Sequence, residues 1–350
     1  MRKRYFSIIL SLCLLFSMTA CGNLGSSDIF DDDSAQKESS QTDDPFGEIE
    51  TAGNFSGAIS HGAADPNLDQ NQMKLPFEYN GGEISVEYFF RSEGDLVGIG
   101  FLLFLDGIPQ AYKISSSETE YEYCHTFPAE GQEEVNFEFI FTPCTGSAGD
   151  TLNLTVLSIT NPDFQPDMIQ SSGYGWYHKM LPYESKIHFN VDADSAEYPV
   201  TKELFLSASL SDEKVTASFL ENELSQYGWG NVSLDTLNDG MFYTISYDGS
   251  FIYNHINVDN KETVSVRFTV CGAAGEDFRI SFWGNHQPIS NDGILAWQAS
   301  VKKGNLITIE AVIDISSMDD FTTFYAIAVP IGNSTSAAYK TESILLYKGD

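Results

Sequence analysis

Six histidines are the first place to look for metal or acid–base chemistry, and their spacing supports neither. His61, His125, His178, His188, His255 and His286 are scattered, with no pair separated so as to put two imidazoles on one ion. Ser211 and Lys214 have the Ser-x-x-Lys spacing in which a lysine can activate a serine nucleophile. The elements that complete such a site are missing, since Lys340-Thr341 is followed by Glu342 rather than glycine. "SDEK" at 211–214 therefore reads as a polar hairpin turn. The chain holds no GxSxG elbow, no GxxxxGK(S/T) phosphate loop and no HExxH pair. Acidic residues are plentiful, but glycoside hydrolysis needs two carboxylates about 5 Å or about 6.5–9.5 Å apart in one cleft, which spacing along a chain does not supply. No catalytic residue, metal ligand or cofactor is assigned, and the expectation is a protein that is not an enzyme.

Aromatic residues in irregular chain offer a different chemistry. "GYGWYHK" (173–179) and "QYGWG" (226–230) each hold Tyr-Gly-Trp between glycines, and Trp283 stands at a strand end beside Gly284-Asn285-His286. Ring faces held on loops can stack on sugar rings or anchor a protein partner. Tyr174, Trp176, Tyr227, Trp229 and Trp283 are thus the candidate ligand contacts. The opposing expectation is that these rings cover the ends of the sandwiches or pack between the domains. Trp297, inside the alternating "ILAWQASV", belongs to a core.

The N-terminus has a basic head, Arg2-Lys3-Arg4, followed by an apolar run from Tyr5 to Phe16. That pattern is an export signal, and the run is shorter than the roughly 20 apolar residues of a transmembrane helix. Met18-Thr19-Ala20-Cys21 then resembles the lipobox of bacterial lipoproteins, with Met18 where leucine is usual. The resemblance covers about the first two dozen residues. It implies cleavage after residue 20, a covalent lipid such as palmitate on Cys21, and attachment to the cell membrane on its extracytoplasmic side. More than one acyl chain makes such anchoring stable. Residues 21–72, rich in Ser, Asp, Gln and Gly and including Asp31-Asp32-Asp33, read as a disordered acidic tether reaching about 40 Å from the bilayer. The acidic triplet is a solvated run rather than a calcium site.

The formal net charge of −32 leaves no basic patch for a phosphate backbone, which excludes nucleic acid as a partner. Beyond the anchor stand Cys124, Cys144 and Cys271. Export permits a Cys124–Cys144 disulfide, worth about 3 kcal/mol for such a loop. If the two segments form one hairpin turning near Gly131, however, the cysteines are not opposite each other, and buried thiols are the competing expectation.

The elements that must position these residues are strands. Period-two alternation recurs in Ile84-Val86-Tyr88-Phe90, Val135-Phe137-Phe139-Phe141, Ile187-Phe189-Val191, Val264-Val266-Phe268-Val270 and Ile307-Ile309-Ala311-Ile313-Ile315, with Asx-Gly turns between. Val215–Tyr227 is the best helical candidate, yet Val215, Ala217 and Phe219 also alternate, and a hairpin of Leu204–Leu210 with Val215–Phe219 is expected. A faint internal repeat aligns 83–90 with 262–270, 101–110 with 279–288, 135–160 with 307–330, and "SKIHFNV" with "ESILLYK". The expected fold is all-β, with two tandem antiparallel β-sandwiches, Ig-like or jelly-roll-like. The first spans 73–192 and the second 193–350, with an extra hairpin region at 193–250.

The functional expectation is a lipid-anchored surface lipoprotein acting as a non-enzymatic binding or accessory module for a protein or glycan partner. The alternative is a carbohydrate-binding, or less readily a glycan-hydrolysing, sandwich. A solute-binding lipoprotein would resemble paired α/β lobes, and the absence of helical stripes speaks against it.

Overall fold

Alternating apolar residues at these spacings fold into strands because period two turns one face of each strand inward. The structure, a computed structural model, describes residues 57–349 except 72, 130–133, 166–172, 195–197, 200, 231, 273 and 335. The expected signal sequence, Cys21 and the first part of the expected tether lie outside the described residues.

The first sandwich is built from β1 (Gly57–Ala63), β2 (Phe77–Tyr79), β3 (Ile84–Gly94), β4 (Gly98–Leu105), β5 (Ile108–Gln110), β6 (Cys124–Pro128), β7 (Val135–Phe141), β8 (Thr151–Thr160) and β9 (Met180–Phe189). One sheet runs β1-β3-β7. The facing sheet runs β2-β9-β8-β4-β5, with β6 also pairing β4. This is the immunoglobulin arrangement, an A-B-E sheet against an A′-G-F-C-C′ sheet. Ile84, Val86, Tyr88 and Phe90 of β3 face Ile99, Phe101, Leu103 and Leu105 of β4 in one core.

The second sandwich comprises β10 (Lys202–Glu203), β11 (Phe205–Lys214), β12 (Met241–Tyr247), β13 (His255–Asn257), β14 (Thr263–Gly272), β15 (Asp277–Gly284), β16 (Gln287–Ser290), β17 (Trp297–Ser300), β18 (Asn305–Asp314), β19 (Phe321–Pro330), β20 (Tyr339–Lys340) and β21 (Ile344–Tyr347). Its sheets run β11-β18-β14-β12 and β10-β16-β15-β19-β21-β13, with β17 also on β15 and β20 on β19. Strand for strand this repeats the first sandwich: β12-β14-β18 matches β1-β3-β7, and β13-β21-β19-β15-β16 matches β2-β9-β8-β4-β5. Even the pairing sense is kept, since β2 runs parallel to β9 and β13 parallel to β21. The strands aligned by the faint sequence repeat are the ones that occupy equivalent positions.

Several expectations are corrected. The tether does not extend to residue 72, because Gly57–Ala63 pairs with β3 over seven residues and closes the edge of the first sandwich. The two expected β-sandwiches are present, and the strand pairings are antiparallel except for the short pairs β2–β9, β13–β21 and β10–β16, which are parallel. No hairpin joins Leu204–Leu210 to Val215–Phe219. β11 runs straight through Ser211–Lys214 alongside β18, and the chain then turns helical. Thr216 caps that helix by accepting the Phe219 N–H at 3.1 Å. A wide, π-type turn continues it over Leu220–Trp229, burying Phe219, Leu220 and Leu224 against Cys271 and Leu306 on the outer face of the β14–β18 pair. Finally, β6 joins β4 while β7 joins β3, so Cys124 and Cys144 flank no common hairpin. The Cys124–Cys144 disulfide is not formed. Cys124, Cys144 and Cys271 are free thiols, each pushed up to about 12 by burial.

The two sandwiches pack through the outer faces of their C and F strands. Leu102 and Phe104 of β4 and Leu157 and Ile159 of β8 meet Trp283 of β15 and Tyr325, Ile327 and Val329 of β19. Trp283 is fully buried there, parallel to the Tyr325 ring at 6.3 Å and edge-on to Phe104 at 5.6 Å. At the rim, Arg279 pairs with the Asp106 carboxylate at 2.9 Å. Gly107, at φ +77°, approaches so closely that a Cβ would meet the Arg279 side chain at 2.8 Å.

Candidate functional site

The described loops converge on a groove at one end of the first sandwich. Residues after β3, the strand β6 and the loop leaving β8 line a concavity of about 650 Å³. In an immunoglobulin variable domain this end, carrying the B–C and F–G loops, holds the recognition loops. Phe127, Pro128, Pro162, Phe164, Tyr177 and Val97 make most of its wall apolar.

Asn161 sets the geometry. It follows the last residue of β8 in the left-handed region at φ +45°, a conformation asparagine tolerates better than most residues. That turn lets its side-chain carbonyl accept the Val97 N–H at 2.8 Å and the Gly98 N–H at 3.3 Å, tying the β8–β9 loop to the β3–β4 loop. Two donors on Oδ1 fix which way the amide points. Its Nδ2 is left buried with no partner among the described residues, in a side chain only 4% exposed. That atom has almost no accessible surface, so the amide braces the two loops and is not open to an acceptor in the groove.

The rest of the loop is held firmly. The Phe164 N–H donates to the Asn161 carbonyl at 3.0 Å, and the Phe164 ring stacks on Tyr177 at 3.7 Å and 10°. Thr160 Oγ1 donates to the Tyr177 carbonyl at 2.5 Å and accepts the Lys179 N–H at 2.9 Å. Asp95 and Asp163 stand exposed at the groove, and neither makes an ion pair among the described residues. Among the described residues no lysine, arginine or histidine lines it.

The five aromatic candidates from the sequence do not form one site. Trp176 is exposed, at 64%, on the short helix Tyr174–Tyr177, with Lys179 Nζ 4.5 Å over its ring. Tyr174 is buried, its hydroxyl 2.5 Å from Thr323 Oγ1 across the junction of the sandwiches, and burial pushes that phenol up to about 12. Trp283 packs between the sandwiches and donates its indole N–H to Ser281 at 2.8 Å, so no ligand reaches it. Tyr227 is enclosed by Tyr243, Phe251 and Tyr253, and Trp229 donates to the Tyr243 carbonyl at 2.5 Å with its ring edge-on to Phe242. These two close the turn after the helix onto the second sandwich. Trp297 packs against Phe205 and Phe282, as expected of a core residue. Asp95, Val97, Phe127, Asn161, Asp163 and Phe164 escaped sequence reasoning. Their one legible signal is "NPDF" (161–164), a turn closing an alternating strand just before the "GYGWYHK" cluster.

Among the described residues no group of three or more His, Cys, Asp or Glu side chains could hold a metal ion. No protein-family model matches the chain. No curated protein matches it in sequence. Similar solved structures include the C-terminal domain of the AgI/II polypeptide BspA of Streptococcus agalactiae, at 8% identity over 83% of this chain and 100% of that one, with a TM-score of 0.20. The N-terminal Ig1-2 module of the Drosophila receptor protein tyrosine phosphatase DLAR aligns at 10% identity over 84% and 99%, also at 0.20. The CupB6 tip adhesin from Pseudomonas aeruginosa aligns at 11% over 84% and 97%, at 0.17. Likeness at this level assigns no function.

Proposed function

We propose that the chain is a surface module, held on the extracytoplasmic side of the membrane by lipid on Cys21, that binds a partner through the groove of its first sandwich and carries out no catalysis. The observation that carries this reading is an apolar groove whose two loops are tied together by the Asn161 side chain. A preformed apolar concavity with a few fixed polar groups is what recognition sites look like. Two experiments test it. A photo-crosslinking residue at Val97, which is 80% exposed beside the groove, should capture a partner on intact cells. The same residue at Leu206, exposed on the second sandwich, should not. Equal capture at both positions, or none at Val97, overturns the site. For the anchor, labelled palmitate should enter the chain and be lost in Cys21→Ala, which should also release the protein from membranes.

A second reading, carbohydrate recognition, rests on the open face of Trp176, a ring that could stack on a sugar. Saturable quenching of tryptophan fluorescence by a cell-wall polysaccharide, abolished by Trp176→Ala, would favour it.

A further inference from the structure

If the groove of the first sandwich is the binding site, its chemistry also selects a class of partner. On that basis we infer that the groove takes a peptide segment that is apolar and carries arginine, contributed by a protein partner. Two observations select this occupant. The wall is apolar and aromatic, with Phe127, Pro128, Phe164 and Tyr177 offering faces to side chains rather than a polar lattice for sugar hydroxyls. Among the described residues its only charges are the exposed carboxylates of Asp95 and Asp163, with no lining cation to neutralise them.

Matching these parts gives the binding mode. An apolar side chain covers Phe127 and Pro128. A guanidinium pairs with Asp163 or Asp95 and lies against the Tyr177–Phe164 stack, where a flat, weakly hydrated cation is favoured over an ammonium. The net charge of −32 draws any cation toward the molecule. That general attraction must be separated from pairing in the groove, and the test is built to do so.

Fluorescence anisotropy of the full chain in detergent would be followed with three labelled nonapeptides: arginine alternating with leucine, lysine with leucine, and glutamate with leucine. Neutral cell-wall oligosaccharides would be run beside them. The arginine peptide is expected to bind, several-fold more tightly than the lysine peptide, and the glutamate peptide not to bind. Asp95→Asn with Asp163→Asn should raise the dissociation constant about tenfold. Glu221→Gln with Asp235→Asn, which removes two exposed carboxylates from the second sandwich, should leave it unchanged. Equal weakening by both pairs would mean non-specific attraction and would overturn the inference. So would binding of the glutamate peptide. If a neutral oligosaccharide binds and competes at Val97 while the arginine peptide does not, the groove stands as the site but its partner is a glycan. If nothing that binds is affected by a bulky Val97→Trp, the groove itself is not the site.

Discussion

His286 and His61 are held by the same pair of bonds. In each, Nε2 faces a carbonyl oxygen, of Pro162 at 2.8 Å or Leu181 at 3.1 Å, and Nδ1 faces a tyrosine hydroxyl, of Tyr325 at 2.8 Å or Tyr88 at 2.6 Å. A carbonyl only accepts, so Nε2 carries the hydrogen and Nδ1 receives the phenol O–H. Both imidazoles are neutral donors and acceptors, with no room for a second proton. Burial lowers each to about 4 in the folded chain. Unfolded histidine titrates near 6.5, so between those values the unfolded chain binds protons that the folded chain does not. The stability these groups contribute is complete above about pH 6.5 and is lost as the pH falls toward 4. For the fully enclosed His286 that amounts to about 3 kcal/mol. The thermal unfolding midpoint should therefore drop steadily from pH 7 to pH 4, and His286→Gln, which keeps a donor for Pro162, should make that drop shallower. An equally steep profile in the variant would refute the assignment. Lys340 acts in the same sense at higher pH. Burial, with Lys179 nearby, pushes its ammonium down to about 7, so stability should go on rising from pH 7 toward about 10. Lys340→Met should flatten that part of the profile.

At the scale of elements, β1 and the helix after β11 are the two pieces least legible in the sequence. β1 alternates, but its inward positions are Ile59, His61 and Ala63, and glycines and serines separate them, so the segment reads as tether. Its contribution appears only when β3 is present to pair with it and Tyr88 to receive His61. A chain beginning at residue 73 should thus unfold at a lower denaturant midpoint than one beginning at residue 50. Identical midpoints would show β1 to be dispensable. The helix is ambiguous for a different reason: Val215, Ala217 and Phe219 satisfy period two as well as a first helical turn. Thr216 decides it, because a threonine side chain can cap a helix and has no equivalent task at that point of a hairpin. Thr216→Ala should cost about 1 kcal/mol, read from urea unfolding. The alternating strands with strong inward residues, such as Ile84–Phe90 and Ile307–Ile315, are readable throughout, because there one residue in two decides the face. The groove is not readable. It is assembled from two loops and the strand β6, distant in sequence, and the single Asn161 amide joins the two loops.

At the scale of the molecule, the misplaced tryptophan explains how the two sandwiches are joined. Phe278, Ile280 and Phe282 of β15 face their own core, so Arg279, Ser281 and Trp283 should face solvent by period two. They do not, because the C and F strands of the other sandwich cover that face. The unbroken apolar runs "GIGFLLFL" and "FYAIAVP" record this: strands buried on both sides lose their alternation. Each sandwich thereby supplies the missing layer for the other. Two domains joined through so apolar a junction, closed at its edge by Asp106–Arg279 and by Tyr174–Thr323, should unfold as one cooperative unit. Trp283→Ala removes the largest side chain of the junction without touching either inner core, at a cost of about 3–5 kcal/mol. Because that loss falls on the junction alone, the cores should survive it and their coupling should not. Calorimetry should then resolve two transitions where the parent chain shows one. A single transition, merely shifted, would mean that the sandwiches are joined by something other than this face.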